Sequence, residues 1–489
     1  MPVGGWQFRL TKGCSIVQWS RFQRTTAGRW ALAARFLVQM ICRTAGAIGI
    51  KATARHILRQ LWRGRLSAIA TAVVPLSDHK DLLRVATNTR RAAGRSHPRV
   101  LIAGVLQLPQ CARYRVWQKK GYFDHLGVDC SILDWSSILT VRAALQTHTH
   151  VIFYRVPGYP AVLDLIKEAQ QLGLSTFWEA DDLIFDRDAM LASRNLNFLE
   201  PRIRTGLVAG VPLYRAALQA CGRGIASTAA LAEAMCEAGA RDVSVIENAL
   251  DLDMLRIGRI VRERRRSRDL RKPVVIVYGP GSPTHDADFR CVVPALCALL
   301  LARPHVRLRI IGPLNLPSDL RRFADRIEHL PFVPFETYLG MIGEADINLA
   351  PLELVRFNHA KSNIKYLEAA IVGLPSICSP CKSFQQIVIH GTNGFLAETS
   401  DEWLEALIRL VDETMLRERV GQGAYETVIK RYTPEFIALS QVMPFIRDIC
   451  GELPPVRYPW PMRSNVEGQV VAMPTLREEF STKSGAVLP

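Results

Sequence analysis

The residues with the clearest chemical potential lie in the stretch HAKSNIKYLEAAIVGLPSICSP, which runs from His359 to Pro380. In a helix with about 100° between successive residues, Lys361, Lys365 and Glu368 fall within roughly 60° of one another. The pattern predicts a helix that begins near Ser362, which places Lys361 at the amino end, where unpaired N–H groups and the helix dipole favour an anion. A lysine with free amides suits a diphosphate, and a carboxylate two turns along suits ribose hydroxyls. The same spacing also fits an exposed helix face with an ion pair between Lys365 and Glu368.

A second candidate site is the segment GPGSPTHD, residues 279–286, directly after a predicted strand. Gly279 and Gly281 permit unusual backbone angles and the close approach of a ligand. Three side chains of the segment supply hydrogen-bond donors: Ser282, Thr284 and His285. A tight surface turn has the same composition, but the position at the carboxyl end of a strand favours a binding site.

Apolar runs of strand length surround these sites and alternate with helical patterns in two successive halves. In the first half, the strands are predicted at 99–106, 128–133, 150–154, 175–178, 224–227 and 243–246. In the second half, they are predicted at 273–278, 306–311, 346–350 and 376–378, with helices at 288–301, 336–342 and 362–372. Strands separated by helices of this length indicate parallel sheets. The predicted fold class is α/β, with two Rossmann-like domains whose parallel sheets face a central cleft that holds the ligand.

The composition changes along the chain and predicts the domain boundaries. A polar, arginine-rich stretch without an apparent apolar face, residues 256–272, separates the two halves. Its composition favours a connector between domains over a short nucleic-acid-binding patch. The predicted units are a basic leader (1–98), a first Rossmann-like domain (99–255), a basic linker (256–272), a second Rossmann-like domain (273–431), a closing helix (432–450) and a flexible Pro-rich tail (451–489).

The net charge of +17 is concentrated in the leader. Residues 1–99 contain 18 lysines and arginines and two acidic residues, so the remainder is close to neutral and no nucleic-acid partner is expected. Arg35 and Arg43 interrupt the leader's longest apolar run, which is therefore too charged to span a bilayer. The leader fits a targeting peptide, a basic helix at a membrane surface, or a poorly ordered extension.

The 11 cysteines are scattered without the spacing of a disulfide framework, which indicates reduced thiols in a cytoplasmic protein. One CxxC pair, Cys378 and Cys381, has the spacing of a thioredoxin-type redox site. Burial in a hydrophobic core explains the surrounding apolar run equally well. The sequence has no second CxxC pair that could complete a zinc site.

Residues 99–450 as a whole resemble the GT-B glycosyltransferases, and within them the retaining glycosyl transferases group 1, also called family 4. The resemblance is carried, in order, by EADDLIFD at 179–186, ENALDLD at 247–253, GPGSPTHD at 279–286, IGP at 311–313, DINLAPLE at 346–353, KSNIKYLE at 361–368 and GLP at 373–375. It implies transfer of a sugar from a nucleotide sugar, with retention of anomeric configuration, no metal, and no cofactor beyond the nucleotide sugar as co-substrate.

The resemblance also implies roles for particular residues. Glu368 matches the second glutamate of the family's paired-glutamate motif, which holds the nucleotide ribose. The position eight before it is Ala360 instead of glutamate, so Lys361 and Ser362 are the expected substitutes. The expected catalytic residues are Lys361, Glu368, Asp181 and Asp182. The expected donor-binding residues are Gly279, Gly281, Ser282, Thr284, His285, Ser362, Asn363 and Lys365.

The first half is expected to bind the acceptor, a glycan, a lipid-linked molecule or another hydroxyl compound. Glu179, Asp181 and Asp182 lie at a strand end, where they either orient this acceptor or form a helix-capping turn. Arg113 and Arg115 either meet the phosphates on closure or are surface charges.

Two classes of function remain open at this stage. The first is an active cytoplasmic sugar transferase of glycan synthesis, with peripheral contact of its leader to the inner membrane face. The second, motivated by Ala360, is a catalytically degenerate GT-B protein that binds nucleotide or glycan as a partner module.

Overall fold

The computed structural model describes residues 98–266 and 273–450. All but the last residue of the expected leader, residues 267–272 of the expected linker, and the expected tail from 451 lie outside this description.

The first domain is built on a six-stranded parallel sheet in the order β2-β1-β3-β4-β5-β6. Its strands are β1 (Arg99–Gly104), β2 (Asp129–Asp134), β3 (His150–Tyr154), β4 (Ser175–Ala180), β5 (Arg223–Ala226) and β6 (Asp242–Val245). Every residue of β3 is buried, because helices cover both faces of the sheet. The prediction of this strand at 150–154 is confirmed to the residue.

Helices fill the crossovers of the first domain. They are α1 (Pro109–Ala112), which continues through a π-helical segment (Arg113–Trp117) into α2 (Gln118–His125), then α3 (Ile138–Leu145), α4 (Pro160–Gln171), α5 (Arg187–Ala192), a 3₁₀ segment (Arg194–Phe198), α6 (Pro201–Cys221) and α7 (Ala229–Glu237). Parallel strands require such crossovers, so the alternation in the sequence determines the architecture.

The second domain has its own six-stranded parallel sheet, in the order β12-β11-β10-β7-β8-β9. Its strands are β7 (Val274–Tyr278), β8 (Val306–Ile311), β9 (Ile327–Leu330), β10 (Ile347–Ala350), β11 (Ser376–Cys378) and β12 (Phe395–Leu396). The sequence analysis missed β9 and β12, which are short and lie at the two edges of the sheet. The two parallel sheets confirm the predicted α/β class with two Rossmann-like domains.

A helix that connects the two domains, α8 (Leu252–Arg266), precedes the helices of the second domain. The latter are α9 (Asp286–Arg290), α10 (Val293–Ala302), a 3₁₀ segment (Ser318–Arg326), α11 (Phe335–Gly343), α12 (Arg356–His359), α13 (Ile364–Ile371), α14 (Lys382–Gln385), α15 (Ser400–Asp412) and α16 (Thr414–Arg431). The chain ends, within the described residues, with α17 (Pro434–Ile437), a π-helical segment (Ala438–Val442) and α18 (Met443–Cys450).

Helix α8 occupies much of the segment expected to be a polar linker without an apolar face. Met254 and Val261 are buried, and Gly258 lies so close to Ile371 of α13 that an added Cβ would sit 2.6 Å from the Ile371 side chain. These three residues recur at helical spacing and form a narrow packing stripe. The many arginines around the stripe concealed it in the sequence.

The segment after α16 returns to the first domain. Ile437, Val442 and Ile446 are buried in the same cluster as strand residues of β1, β3 and β4. The ring of Phe445 meets that of Phe177 edge to face at 5.2 Å between centroids. The segment that follows α16 therefore supplies part of the core of the first domain.

In the described ranges, 98–266 and 273–450, no helix combines the length and the apolar character that a membrane span requires.

Candidate active site

The cleft is lined by the carboxyl ends of the strands from both sheets, and a short loop of the second domain, residues 360–362, contacts two strand ends of the first domain. The amide of Asn248, after β6, donates to the Ser362 hydroxyl at 2.9 Å. The Thr228 hydroxyl, after β5, donates to the Ala360 carbonyl at 2.8 Å. Residues 360–362 thus lie directly over the strand ends of the first domain.

Lys361 reaches across the cleft to the end of β4. Its Nζ lies 3.2 Å from Oδ1 of Asp182. Burial opposes ionisation of Asp182, but the nearby charges of Lys361 and Arg155 hold its pKa at about 2. Burial also opposes the charge on Lys361, yet Asp182 and Asp288 raise the pKa of the lysine overall. The pair is ionised at neutral pH.

Asp181 faces a second cation, Arg155, which follows β3. Nη1 of Arg155 donates to Asp181 at 3.0 Å and Nη2 donates to Asp182 at 3.2 Å, so one guanidinium orients both carboxylates. The Tyr154 hydroxyl donates to Asp181 at 3.1 Å. Burial raises the pKa of Asp181 despite the attraction of Arg155.

Arg155 is the one residue other than glycine with a positive φ, 52°, among the described residues. This left-handed conformation is unfavourable for a side chain with a Cβ, and such strain concentrates at functional sites. Here it turns the guanidinium toward the two aspartates. Sequence reasoning missed Arg155, because nothing in a lone arginine after a strand signals its backbone conformation.

Helix α13 begins later than predicted. Its first residue is Ile364 and its N-cap is Asn363, whose backbone is not helical. The Asn363 amide donates to the Tyr432 hydroxyl at 3.1 Å, and this long-range contact holds the helix start in place. Lys361 consequently lies before the helix and does not share a stripe with Lys365 and Glu368.

Lys365, in the first turn of α13, holds the glycine loop after β7. Its Nζ donates to the carbonyls of Gly279 and Pro280, the latter at 3.3 Å. Burial lowers the pKa of Lys365 to about 8. Its hydrogen bonds go to carbonyl oxygens, so Lys365 leaves the backbone N–H groups of the loop unoccupied.

The loop itself has the backbone that its glycines were expected to permit. Gly281 has a φ of 79°, and a Cβ on Gly279 would lie 2.6 Å from the Tyr338 hydroxyl, so neither position accepts a larger residue without a shift. The hydroxyls of Ser282 and Thr284 are hydrogen-bonded to each other at 2.8 Å.

His285 closes the loop against the start of α9. Its Nδ1 lies 2.8 Å from Oδ2 of Asp288. Burial lowers the pKa of His285 to about 4, so the ring is neutral at pH 7 and Nδ1–H is positioned to donate to the carboxylate. Oδ1 of Asp288 accepts from the Asn358 amide at 2.8 Å, which ties the loop to α12.

Glu368 lies one turn further along α13 and is 9% exposed. The Tyr114 hydroxyl, from the π-helical segment of the first domain, donates to its Oε1 at 2.8 Å. Tyr338 of α11 hydrogen-bonds to the same carboxylate. Burial raises the pKa of Glu368, and these hydroxyls together with Lys365 only partly offset that effect.

Comparison with known proteins supplies the class of the chain. Residues 272–413 match the family model Glycosyl transferases group 1. HepE from Anabaena, solved in complex with UDP and glucose, is 14% identical with a TM-score of 0.50, and the match covers 72% of this chain and 99% of that one. Sucrose-phosphate synthase from Thermosynechococcus elongatus is 13% identical with a TM-score of 0.51, over 72% of this chain and 99% of that one. The family match lies in the second domain and indicates a glycosyltransferase, and the solved structures show that the two domains together have the GT-B fold. No curated protein matches the chain.

This glycosyltransferase departs from the paired-glutamate motif in a way that the structure explains. Ala360 is 2% exposed and packs with the core of the first domain, beside Phe357. A glutamate there would bury a charge against apolar side chains. The position has become part of the contact between the two domains.

Two residues expected near the acceptor or the phosphates lie inside the first domain instead. Glu179 is fully buried and pairs with Arg115 at 2.7 Å and with Lys119. Arg115 is 1% exposed and donates also to the Ile246 carbonyl and to Asn248. The expectation that Glu179 faces the cleft, and both expectations for Arg115, are wrong, because the side chains point below the strand end into the protein.

Arg113 is not an unattached surface charge. Its Nε lies 2.6 Å from Asp251, and its guanidinium lies over the Phe335 ring at 4.1 Å from the centroid. It therefore braces the π-helical segment that carries Tyr114 against the second domain. Sequence reasoning missed Tyr114 and Tyr338 as neighbours of Glu368, because their hydroxyls reach it from other elements.

The two thiols of the CxxC pair are not exposed to a redox partner. Cys378 and Cys381 are fully buried, and burial raises the pKa of both thiols, to about 12 for Cys381. A reactive thiol needs a lowered pKa and access. The pair belongs to the core of the second domain.

Proposed function

We propose that this glycosyltransferase moves a sugar from a nucleoside diphosphate sugar to a hydroxyl acceptor in the cleft, with retention and without a metal. The contact between Lys361 and Asp182 carries the proposal. It brings a cation of the donor side and a carboxylate of the acceptor side to one point between the sheets, at 3.2 Å. Sugar transfer needs a stabilised leaving diphosphate beside a positioned hydroxyl.

The diphosphate is bound by Lys361 and by backbone N–H groups of the loop at Gly279, Gly281, Ser282, Thr284 and His285. Lys365 positions the loop by holding its carbonyls. Fixed donors around a developing phosphate charge stabilise the transition state without reorganisation. The charge that a metal supplies in other transferases is thus assigned to Lys361.

The ribose is bound by Glu368. A nearly buried carboxylate whose present partners are two tyrosine hydroxyls is suited to accept hydrogen bonds from ribose hydroxyls in their place. Ser362 and Asn363, held by Asn248 and Tyr432, fix the start of α13 and so the position of the carboxylate. UDP is the first nucleotide to test, because HepE was solved with UDP.

The acceptor is positioned by Asp181 and Asp182. Arg155 holds both carboxylates at the strand end, where an incoming hydroxyl can donate to one of them. The acceptor is a glycan or a lipid-linked molecule. The protein is cytoplasmic, and its basic leader makes peripheral contact with the inner membrane face.

The test is turnover with a panel of nucleotide sugars, together with the anomeric configuration of the product by NMR. Lys361→Ala is expected to lower kcat by at least about tenfold, because the diphosphate loses its cation. Lys167→Ala is the matched control, since Lys167 is exposed in the second half of α4, where the helix returns toward the amino ends of the strands and away from the cleft. Unchanged turnover in Lys361→Ala would remove this lysine from the mechanism, and nucleotide binding without any turnover in the unmodified protein would favour a binding module.

A further inference from the structure

A groove on the first domain lies outside the site described above. It runs between α5 and α6 and has a volume of about 670 Å³, within the range of small-molecule sites. Its floor is apolar and includes Phe185, Val208 and Val211, and Leu191 lies at its rim with 43% of its surface exposed. An apolar chain placed here would remove exposed apolar surface from water.

Three arginines line the same groove: Arg187, Arg204 and Arg215. All three are exposed, and none of their side chains forms an ion pair or a hydrogen bond within the described residues. No carboxylate lines the groove, and α6 contains no acidic residue. The three positive charges therefore stand uncompensated around an apolar floor, which favours an anion there.

The groove opens on the side of the sheet where the cleft lies. Gly158, just after β3, is so close to α6 that an added Cβ would be 2.8 Å from the Leu213 carbonyl oxygen. Leu213 thus lies beside the segment that follows β3, and because α6 leads back to the start of β5, the part of α6 before Leu213 lies toward the carboxyl ends of the strands. Phe185 follows Asp182 by three residues, so the acidic loop leads directly into the groove.

From this placement we propose that the groove binds a lipid phosphate, with the apolar chain on the floor and the phosphate held by the arginines. The bound lipid is the carrier portion of the acceptor, a statement that rests on the proposed function. Guanidinium groups bind phosphate through charge-assisted hydrogen bonds, often in pairs. A free nucleotide or sugar is a poorer fit, because the floor offers few partners for its polar groups.

The experiment measures binding to the full chain by calorimetry, with decyl phosphate below its critical micelle concentration as the probe. Inorganic phosphate and decanol are the comparison ligands, and both are expected to bind much more weakly than decyl phosphate. The double variant R204Q/R215Q is expected to weaken decyl phosphate binding by about tenfold or more, the size of a lost charge-assisted hydrogen bond. Arg202→Gln is the matched control, because Arg202 is exposed on the same helix but does not line the groove.

A second pair of variants tests the apolar floor. Leu191→Ser is expected to weaken binding several-fold through lost apolar contact. Leu207→Ser should change it less than twofold, since Leu207 is similarly exposed, at 38%, but lies outside the groove. Equal losses in Leu191→Ser and Leu207→Ser, or in R204Q/R215Q and Arg202→Gln, would overturn the proposal in favour of a diffuse basic and apolar surface. Binding only to phosphatidylglycerol vesicles, and not to decyl phosphate, would identify a bilayer surface and also overturn it.

UDP binding, measured on the same proteins, separates this proposal from the proposed function. If UDP binds normally to R204Q/R215Q while decyl phosphate does not, both stand. If decyl phosphate binds to the groove and no nucleotide binds anywhere, the proposed function fails and the groove remains. If UDP binds and decyl phosphate does not bind to the unmodified protein, the groove proposal alone fails.

Discussion

Two buried glutamates, one in each domain, are held in opposite ways. Glu179 at the end of β4 is fully buried and contacts two cations, Arg115 and Lys119, in its own domain. Glu368 on α13 is nearly as buried, but its direct partners are the hydroxyls of Tyr114 and Tyr338. The first carboxylate is neutralised by charge, whereas the second is held by neutral groups that another hydroxyl can replace.

Asp182 lies between these two cases. Its main cationic partner, Lys361, comes from the opposite domain, and both side chains retain some exposure, 18% for the lysine and 27% for the aspartate. The three carboxylates therefore form a series, from cationic partners fixed in the core, through a cationic partner across the cleft, to neutral hydroxyl partners. The series teaches that burial alone does not mark a binding carboxylate; the chemistry of its partners does.

The largest effect is expected from Glu179→Ala. The substitution leaves Arg115 and Lys119 buried without their carboxylate, and breaking a buried pair in this way costs about 3–5 kcal/mol of unfolding free energy. Chemical denaturation measures the loss, with Glu405→Ala, an exposed glutamate of α15, as the control. A loss of unfolding free energy below about 1 kcal/mol would mean that the ion pairs of Glu179 do not stabilise the core, and the contrast between Glu179 and Glu368 would fail.

The next effect concerns Asp182 and pH. Its pKa is lowered from 3.8 to about 2, so the pair with Lys361 stabilises the fold above pH 3.8 and this contribution disappears as the pH falls through about 2. The unfolding free energy of the wild type should exceed that of Asp182→Asn by roughly 2 kcal/mol near neutral pH, and the two unfolding free energies should converge in acid. Denaturation across this pH range measures the difference. A constant difference at every pH would show that the ion pair is not its source.

A smaller effect is expected from Glu368→Gln. The amide keeps the size of the side chain but loses its charge, so UDP binding should weaken about tenfold while the unfolding free energy changes by less than about 1 kcal/mol. Calorimetry of UDP binding and a melting curve measure the two quantities, with Glu405→Gln as the control. If stability falls and UDP affinity does not, Glu368 is a structural residue like Glu179.

The smallest effect is expected from Tyr114→Phe. In the proposed function, the Tyr114 hydroxyl that bonds to Glu368 at 2.8 Å competes with the ribose, so its removal should make UDP bind about threefold more tightly, as expected for one neutral hydrogen bond. Tyr159→Phe is the control, since Tyr159 is 45% exposed and distant from α13 in the chain. Weaker binding in Tyr114→Phe would mean that this hydroxyl contacts the bound nucleotide.

The sequence predicts the elements of this fold better than their contacts. The run at His150–Tyr154 was located to the residue, because a strand covered on both faces is a nearly continuous apolar stretch. The run at Val306–Ile311 was located to the residue although Arg307 and Arg309 alternate with its buried residues, a pattern typical of a strand covered mainly on one face. The glycine loop and Lys361 were found because they follow strands in the order that the family resemblance supplies.

Long-range contacts account for what the sequence did not reveal. Glu368 and Tyr114 are 254 positions apart, and no local pattern records such a pair. The start of α13 was misplaced because Tyr432, far along the chain, holds the Asn363 side chain. Glu179 was assigned to the cleft because alternation along β4 does not show which buried cations lie below the strand.

The return of the chain to the first domain after α16 determines how the cleft can move. Within the described residues, two covalent links join the domains, one before α8 and one after α16. They lie side by side, since the Leu250 amide donates to the Tyr432 carbonyl at 2.9 Å. Two adjacent links favour one relative motion of the domains, a hinge rotation about the axis that passes through both links. Opening for substrates should therefore part Lys361 from Asp182 and Tyr114 from Glu368 in the same movement.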